Sequence, residues 1–178
     1  GTPFADGSDG AGGATGFLRN TPIEITETRH PFRVELFEFA PEVAGVGKFR
    51  GGMGVRKDYR CLTDGVYASF VIENTADTTA AGFKDGTDGD HGSLTVMPVD
   101  GERIVYNKHI GSIGPFGEGT LFRVITGGGG AWGKASERDP ELVLSDVRNE
   151  FLTAEDARTH YGVVVEERSG AWSLDLQK

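Results

Sequence analysis

The chain has 178 residues, a length that suits one domain with a modest core. Its 18 Lys and Arg face 27 Asp and Glu, a formal charge of −9. That balance argues against a sequence-independent grip on nucleic acid and against docking on anionic lipid, which both need clustered basic side chains.

Cys61 is the only cysteine, so an internal disulfide and a cysteine-based zinc site are excluded. No apolar run approaches the roughly 20 residues that span a bilayer. The Gly-, Ala- and Asp-rich start does not read as a signal peptide. A cytoplasmic setting fits these features. A first residue of Gly1 rather than Met is expected of a processed chain or of a piece of a larger protein. The 28 glycines are about twice the usual ~7 % share. They are scattered as GG, DG and GxG, the pattern of many turns.

Residues 1–16 have too little apolar surface to bury and read as a loop or arm. Ile23 and Ile25 alternate with Glu24 and Thr26, which predicts a short strand. In residues 31–41, Phe32, Val34 and Leu36 share one phase, and Phe37 and Phe39 take the other. Such a slip predicts a β-bulge. Residues 47–54 form a glycine-rich turn. Val55, Tyr59 and Cys61 then alternate with Arg56, Asp58 and Arg60, a half-buried strand with one polar face. A turn at 63–65 leads to a strand over 66–73, and the two strands are expected to pair as a hairpin. A polar turn at 85–92 precedes a second hairpin, 93–99 with 103–107. A further strand covers 119–126.

The pattern changes after the glycine run. Asp139 before Pro140 suits a helix N-cap with proline at the first helical position. Val143, Val147 and Phe151 fall on one helical stripe. A second helix opens at Thr153, with Asp156 completing a box-like start and Gly162 as its stop. Residues 163–176 predict a hairpin around Ser169-Gly170. The fold class is mainly β (α+β): an antiparallel body of several hairpins, two short C-terminal helices and a final hairpin. The predicted organisation is an arm over 1–19, a β-rich body over 20–126, and a joint, helices and hairpin over 127–178 within the same domain.

The chemistry visible in the spacing is sparse. Gly127 to Gly130 lie between a strand and a helix, as a phosphate loop would. However, the helix starts about ten residues on, and no GKS or GKT follows. A glycine joint that lets Trp132 pack is the favoured reading. Asp85, Asp88, Asp90 and His91 form an acidic turn, with Asp88, Asp90 and His91 as weak metal candidates, but the spacing is not that of an EF-hand loop. The four histidines are scattered, Cys61 sits at a core phase, and no GxSxG is present.

Two longer stretches carry a resemblance. Residues 20–60, "NTPIEITETRHPFRVELFEFAPEVAGVGKFRGGMGVRKDYR", resemble a signature segment of the hydantoinase B / 5-oxoprolinase family. Residues 127–165 resemble that family's C-terminal end: a glycine run, an aromatic-Gly pair, E-R-D-P, a V-x-x-D-V-R helix, and a second helix before Y-G-V. The two blocks stand in the family's order. The corresponding subunits of acetone and acetophenone carboxylases are similar as well.

The resemblance implies a role inside an assembly. A hydantoinase A-like partner binds and hydrolyses ATP, the substrate carbonyl is activated by phosphorylation, and a cyclic amide is hydrolysed or a ketone carboxylated. This chain would correspond to about the C-terminal third of a B-type subunit, so the rest of such a subunit is a further partner. It would be inactive alone, with no cofactor of its own; ATP and a divalent metal would belong to the complex. Matching the family's motifs, Asn20, Thr21 and Glu24, the turn Arg50, Gly51 and Gly52, and Gly128, Gly129 and Trp132 are the ligand or interface candidates. Arg50 suits either a bidentate grip on a carboxylate or phosphate, or a loop brace.

Two departures stand against a complete site. The family's histidine-containing segment before N-T-P corresponds here to residues 11–19, without histidine. Residues 73–86 lack the tryptophan of the family's W-G-x-x-G-G segment. These losses favour the alternative that the chain is a non-catalytic scaffold for assembly.

Overall fold

The structure, a computed structural model, describes residues 1–11, 20–75 and 78–175. Residues 12–19 of the predicted arm, with most of the histidine-free stretch, lie outside the described residues, as do 76 and 77.

The body is two β-layers. Strands β1 (Phe32–Ala40), β2 (Gly54–Cys61), β4 (Ser93–Met97), β5 (Ile104–Tyr106) and β7 (Leu121–Ile125) form one antiparallel sheet in the order β1-β2-β7-β4-β5. Strands β3 (Val66–Val71) and β6 (Ile110–Phe116) pair with each other as a second, two-stranded sheet. Val66, Ala68, Phe70, Ile113 and Phe116 face inward from this sheet. They close over Cys61, Ile72, Leu94, Val96 and Phe122. Each strand gives the core its alternate residues, so the sequence alternates where one face is wet.

A second core lies at the C-terminal end. Helix α2 (Pro140–Arg148) and helix α3 (Ala154–Tyr161) bury Val143, Leu144, Val147, Ala157 and Tyr161 against Val165, with Trp172 and Leu174 of the last hairpin packed alongside. The helix ends are where local chemistry puts them. The Asp139 side chain accepts from the Glu141 N–H, and the Thr153 hydroxyl accepts from the Asp156 N–H at 3.0 Å. Gly162 ends α3 at φ 69°. Strands β8 (Val165–Arg168) and β9 (Ala171–Leu174) turn through Ser169 and Gly170, both at positive φ. That is the hairpin geometry the Ser-Gly pair favours.

Three expectations need correction, and one strand was not predicted. Ile23 and Ile25 do not sit in a strand: Ile23–Arg29 is a helix, α1, entered from Pro22 and ended before Pro31, which holds His30 extended. A two-fold alternation over four residues could not separate the two. Strand β2 does not pair with β3, because both its edges are taken by β1 and β7. The chain instead crosses at 62–65 to the second layer, where β3 covers the core. Its partner β6 has no counterpart among the predicted strands, since Gly111, Gly114 and Pro115 hide the alternation. Asp58, placed on a polar face, is 4 % exposed. Arg123 supports it with two hydrogen bonds of 2.9 and 2.6 Å.

The predicted bulge is present, between Val34 and Leu36. Beyond it Phe37 and Phe39 point outward, nearly half exposed. The predicted hairpin of 93–99 with 103–107 is β4 with β5.

Candidate functional site

Arg50 leaves the 47–54 turn at the meeting point of three segments. Its guanidinium grips the Asp9 carboxylate through both oxygens, at 2.6 and 3.0 Å, and lies 3.6 Å from Asp146 of α2. Its own N–H donates to Asp6 at 2.8 Å. Beside it, Arg138 holds both Asp6 oxygens at 2.6 and 2.8 Å and donates to Asp146 at 2.8 Å. Two guanidinium groups and three carboxylates thus tie residues 1–11 to the turn and to α2. Forked Arg–carboxylate pairs are the stronger kind of charged hydrogen bond.

The electrostatics follow from burial and pairing. Burial alone pushes the carboxyls of Asp6 and Asp9 up. Hydrogen bonds from Arg138 and Arg50, with their charges, outweigh it and hold both below the usual carboxylate range. Burial works against the charge on Arg50 and Arg138, yet the paired aspartates raise both above the ordinary arginine value. Tyr161, whose ring lies 5.8 Å from the Arg138 guanidinium carbon, has its hydroxyl pushed up by burial.

The candidate glycines gather around the same point. Gly51 N–H donates to Gly45, Gly45 N–H to Gly129, and Gly129 N–H to the Gly52 carbonyl, each at 2.8 to 2.9 Å. A β-carbon on Gly51 would overlap the Gly129 carbonyl, and one on Gly128 would overlap the Val43 carbonyl. The glycines are there because backbone crosses backbone. Trp132 exchanges two backbone hydrogen bonds with Phe49, at 2.9 and 3.0 Å. The N-terminal ammonium of Gly1 donates to the Gly130 carbonyl.

This geometry does not fit a phosphate cradle. Two of the run's N–H groups are already used, that of Gly128 by Asp90 and that of Gly129 by Gly52. The cavity at the hub, lined by Arg50, Met53, Asp146, Phe151 and Tyr161, is about 40 Å³. That is room for a few waters, far below the ~300 Å³ of ligand pockets.

Arg50, Gly51, Gly52, Gly128, Gly129 and Trp132 therefore meet, whereas Asn20 and Thr21 stand apart on the exposed approach to α1, and Glu24 in its exposed first turn. Asn20 accepts a 2.6 Å hydrogen bond from Lys57, whose ammonium sits 4.3 Å from the centre of the Phe37 ring. Burial pushes the Lys57 amine down. The acidic turn does not assemble a metal site. Asp88 accepts from Gly82 N–H and Asp90 from His91 N–H, and no three His, Cys, Asp or Glu converge among the described residues. Among the described residues, the divalent metal expected of the complex has no fitting donor set.

Spacing did not reveal Asp6, Asp9, Arg138, Asp146 or Tyr161 as site residues. Three of them did have a signal: Arg138 is the Arg of E-R-D-P, Asp146 the Asp of V-x-x-D-V-R, and Tyr161 the Tyr of Y-G-V. The hub gives these motif positions a shared physical reason.

A mainly β body with a motif-built hub and a helical end is the class of domain that the fold and the site define. Residues 1–135 match the Hydantoinase B/oxoprolinase family, and the chain belongs to it. It is 34 % identical over 180 residues to a protein assigned as the B subunit of a D-/L-hydantoinase in Pseudomonas sp. (strain NS671), covering 97 % of this chain and 28 % of that one. Against the beta subunit of caprolactamase from Pseudomonas jessenii it is 30 % identical over 154 residues, covering 85 % and 26 %. Among solved structures, nucleotide-free acetone carboxylase superposes with a TM-score of 0.77 at 17 % identity, covering 99 % of this chain and 27 % of that one. The ATP-dependent caprolactamase from Pseudomonas jessenii gives 0.71 at 24 % identity, covering 96 % and 31 %. At these identities the structural likeness is one of fold. The chain spans little more than a quarter of the length of the curated relatives it matches most fully. Among the described residues, no helix is long and apolar enough to cross a membrane.

Proposed function

We infer that this chain is part of the B-type component of an ATP-dependent complex that opens a cyclic amide. The single observation that carries this is family membership over residues 1–135, joined to relatives at 30 % identity or more whose names are those of hydantoinase and caprolactamase components. Both names denote cyclic amides, whereas the acetone carboxylase likeness is confined to fold. An A-type partner would bind ATP and activate the ring carbonyl by phosphorylation. The substrate would be a small cyclic amide. The chain's own share would be to hold the hub, and activity would belong to the assembly.

The test is turnover by the complex purified with this chain, using a hydantoin, 5-oxoproline and a lactam, with and without ATP. Ring opening of at least one that is strictly ATP-dependent supports the reading. Ring opening without ATP, or carboxylation of a ketone as the sole reaction, overturns it.

The scaffold reading, which the two motif departures favour, is also supported by the terminal nitrogens of Arg50 and Arg138, which are taken by the chain's own carboxylates. Arg50→Ala separates the two. Turnover lost in an intact complex rejects the scaffold reading, and assembly lost with residual complexes still active rejects a catalytic Arg50.

A further inference from the structure

Strands β3 and β6 stand out against the rest of the chain. A quarter of all residues are charged, yet "VYASFV" and "IGSIGPF" carry no charge at all. Their inner side chains serve the core. Their outer side chains do not: Tyr67, Val71 and Ile110 are 69, 66 and 67 % exposed. Val71 lies directly opposite Ile110, and Ser69 opposite Ser112, with the two hydroxyls hydrogen-bonded at 3.3 Å. The outer face is thus apolar with a neutral polar seam. An open space of about 470 Å³ lies at the Val71–Ile110 end, lined by Ser69, Val71, Ile110 and Ser112 of the outer face and by Phe70 and Gly111 between them. The sheet has only two strands, so both outer edges are without a ladder partner among the described residues. Natural edges are usually guarded by lysine, proline or a bulge. Here the register shift between Val66 and Ala68, with Pro115 opposite, guards one end, whereas at the Val71–Ile110 end no lysine, proline or bulge falls within the strands, Lys108 lying just outside.

We propose that this face is a docking surface for the remaining part of a B-type polypeptide, which covers it with an uncharged, apolar segment. The inference rests on the proposed function. Two observations select the occupant. Three of the curated relatives are longer than the matched segment by more than threefold, this chain covering 26 to 28 % of them, so most of a B-type polypeptide lies outside it. A face free of charge matches the composition of permanent interfaces, whereas transient contacts keep a polar surface. A two-stranded sheet is marginal by itself, and a permanent cover would also stabilise it.

The test is carbene footprinting of this chain alone and in the assembly recovered from its source through an affinity tag. Labelling is read at Tyr67, Val71 and Ile110, with exposed Phe83 as a reference off the face. Assembly should lower labelling of the three by about tenfold, as full burial in an interface core requires. Val71→Lys should leave the thermal midpoint of the chain unchanged and reduce recovery of the B-type polypeptide by about tenfold or more, since it buries an unpaired charge. An active assembly in which the three stay fully labelled refutes the docking surface and leaves the proposed function standing. Failure to recover any B-type polypeptide sinks both. Protection arising from dimerisation of the chain alone, or from an ATP-binding partner alone, overturns the chosen occupant.

Discussion

Arg138 has a side chain only 1 % exposed, and it keeps its charge because Asp6 and Asp146 close around it. Removing it strands two partly buried carboxylates. Arg138→Ala should cost about 3–5 kcal/mol, read as a drop in the urea midpoint. Arg168, 78 % exposed beside Glu166, is the control: Arg168→Ala should stay within about 0.5 kcal/mol. The hub also sets an acid dependence. The carboxyls of Asp6 and Asp9 are lowered in the folded chain, so their contribution is fully present above the ordinary carboxylate pKa, about 4, and is lost as pH falls through the depressed folded values. Urea midpoints should decline below about pH 4, and Asp6→Asn with Asp9→Asn should flatten that decline. An equal slope in both proteins would contradict the assignment. The backbone crossing makes a related prediction. Gly51→Ala must push backbone against backbone and should abolish soluble folded protein. Gly170→Ala, at φ 79° with open space around it, should cost about 1 kcal/mol by thermal unfolding.

Elements specified by their own ends were legible in the sequence. Helix α3 is the clearest case, since Thr153, Asp156 and Gly162 lie within it or at its ends. Thr153→Ala should destabilise by about 1 kcal/mol, measured by thermal unfolding, because the Asp156 N–H loses its acceptor. The β4–β5 hairpin was legible for the same local reason, as was the bulge in β1, where two apolar phases meet. What failed was decided at a distance. Strand β3 pairs with β6 across some forty residues because β2 was already taken on both edges. Helix α1 has no buried side chain to betray a helical stripe, and Glu27 anchors it by accepting from Val34 N–H at 2.8 Å. Of the site, the motifs were visible but their meeting was not. Arg138 and Asp6 stand 132 positions apart, and nothing local to either announces the pair.

At the scale of the whole molecule, three segments that are remote in sequence converge on one braced point, and an uncharged face is left open on β3 and β6. The hub makes the chain a well-defined part. Spanning little more than a quarter of the length of those curated relatives, the chain is proposed as a part that works only in company. The most direct test is native mass spectrometry of the species recovered through this chain from its source, with each co-purifying polypeptide identified. The expected species is an assembly holding a B-type polypeptide and an ATP-binding partner. A lone chain of 19.0 kDa that recruits neither would contradict the proposed role.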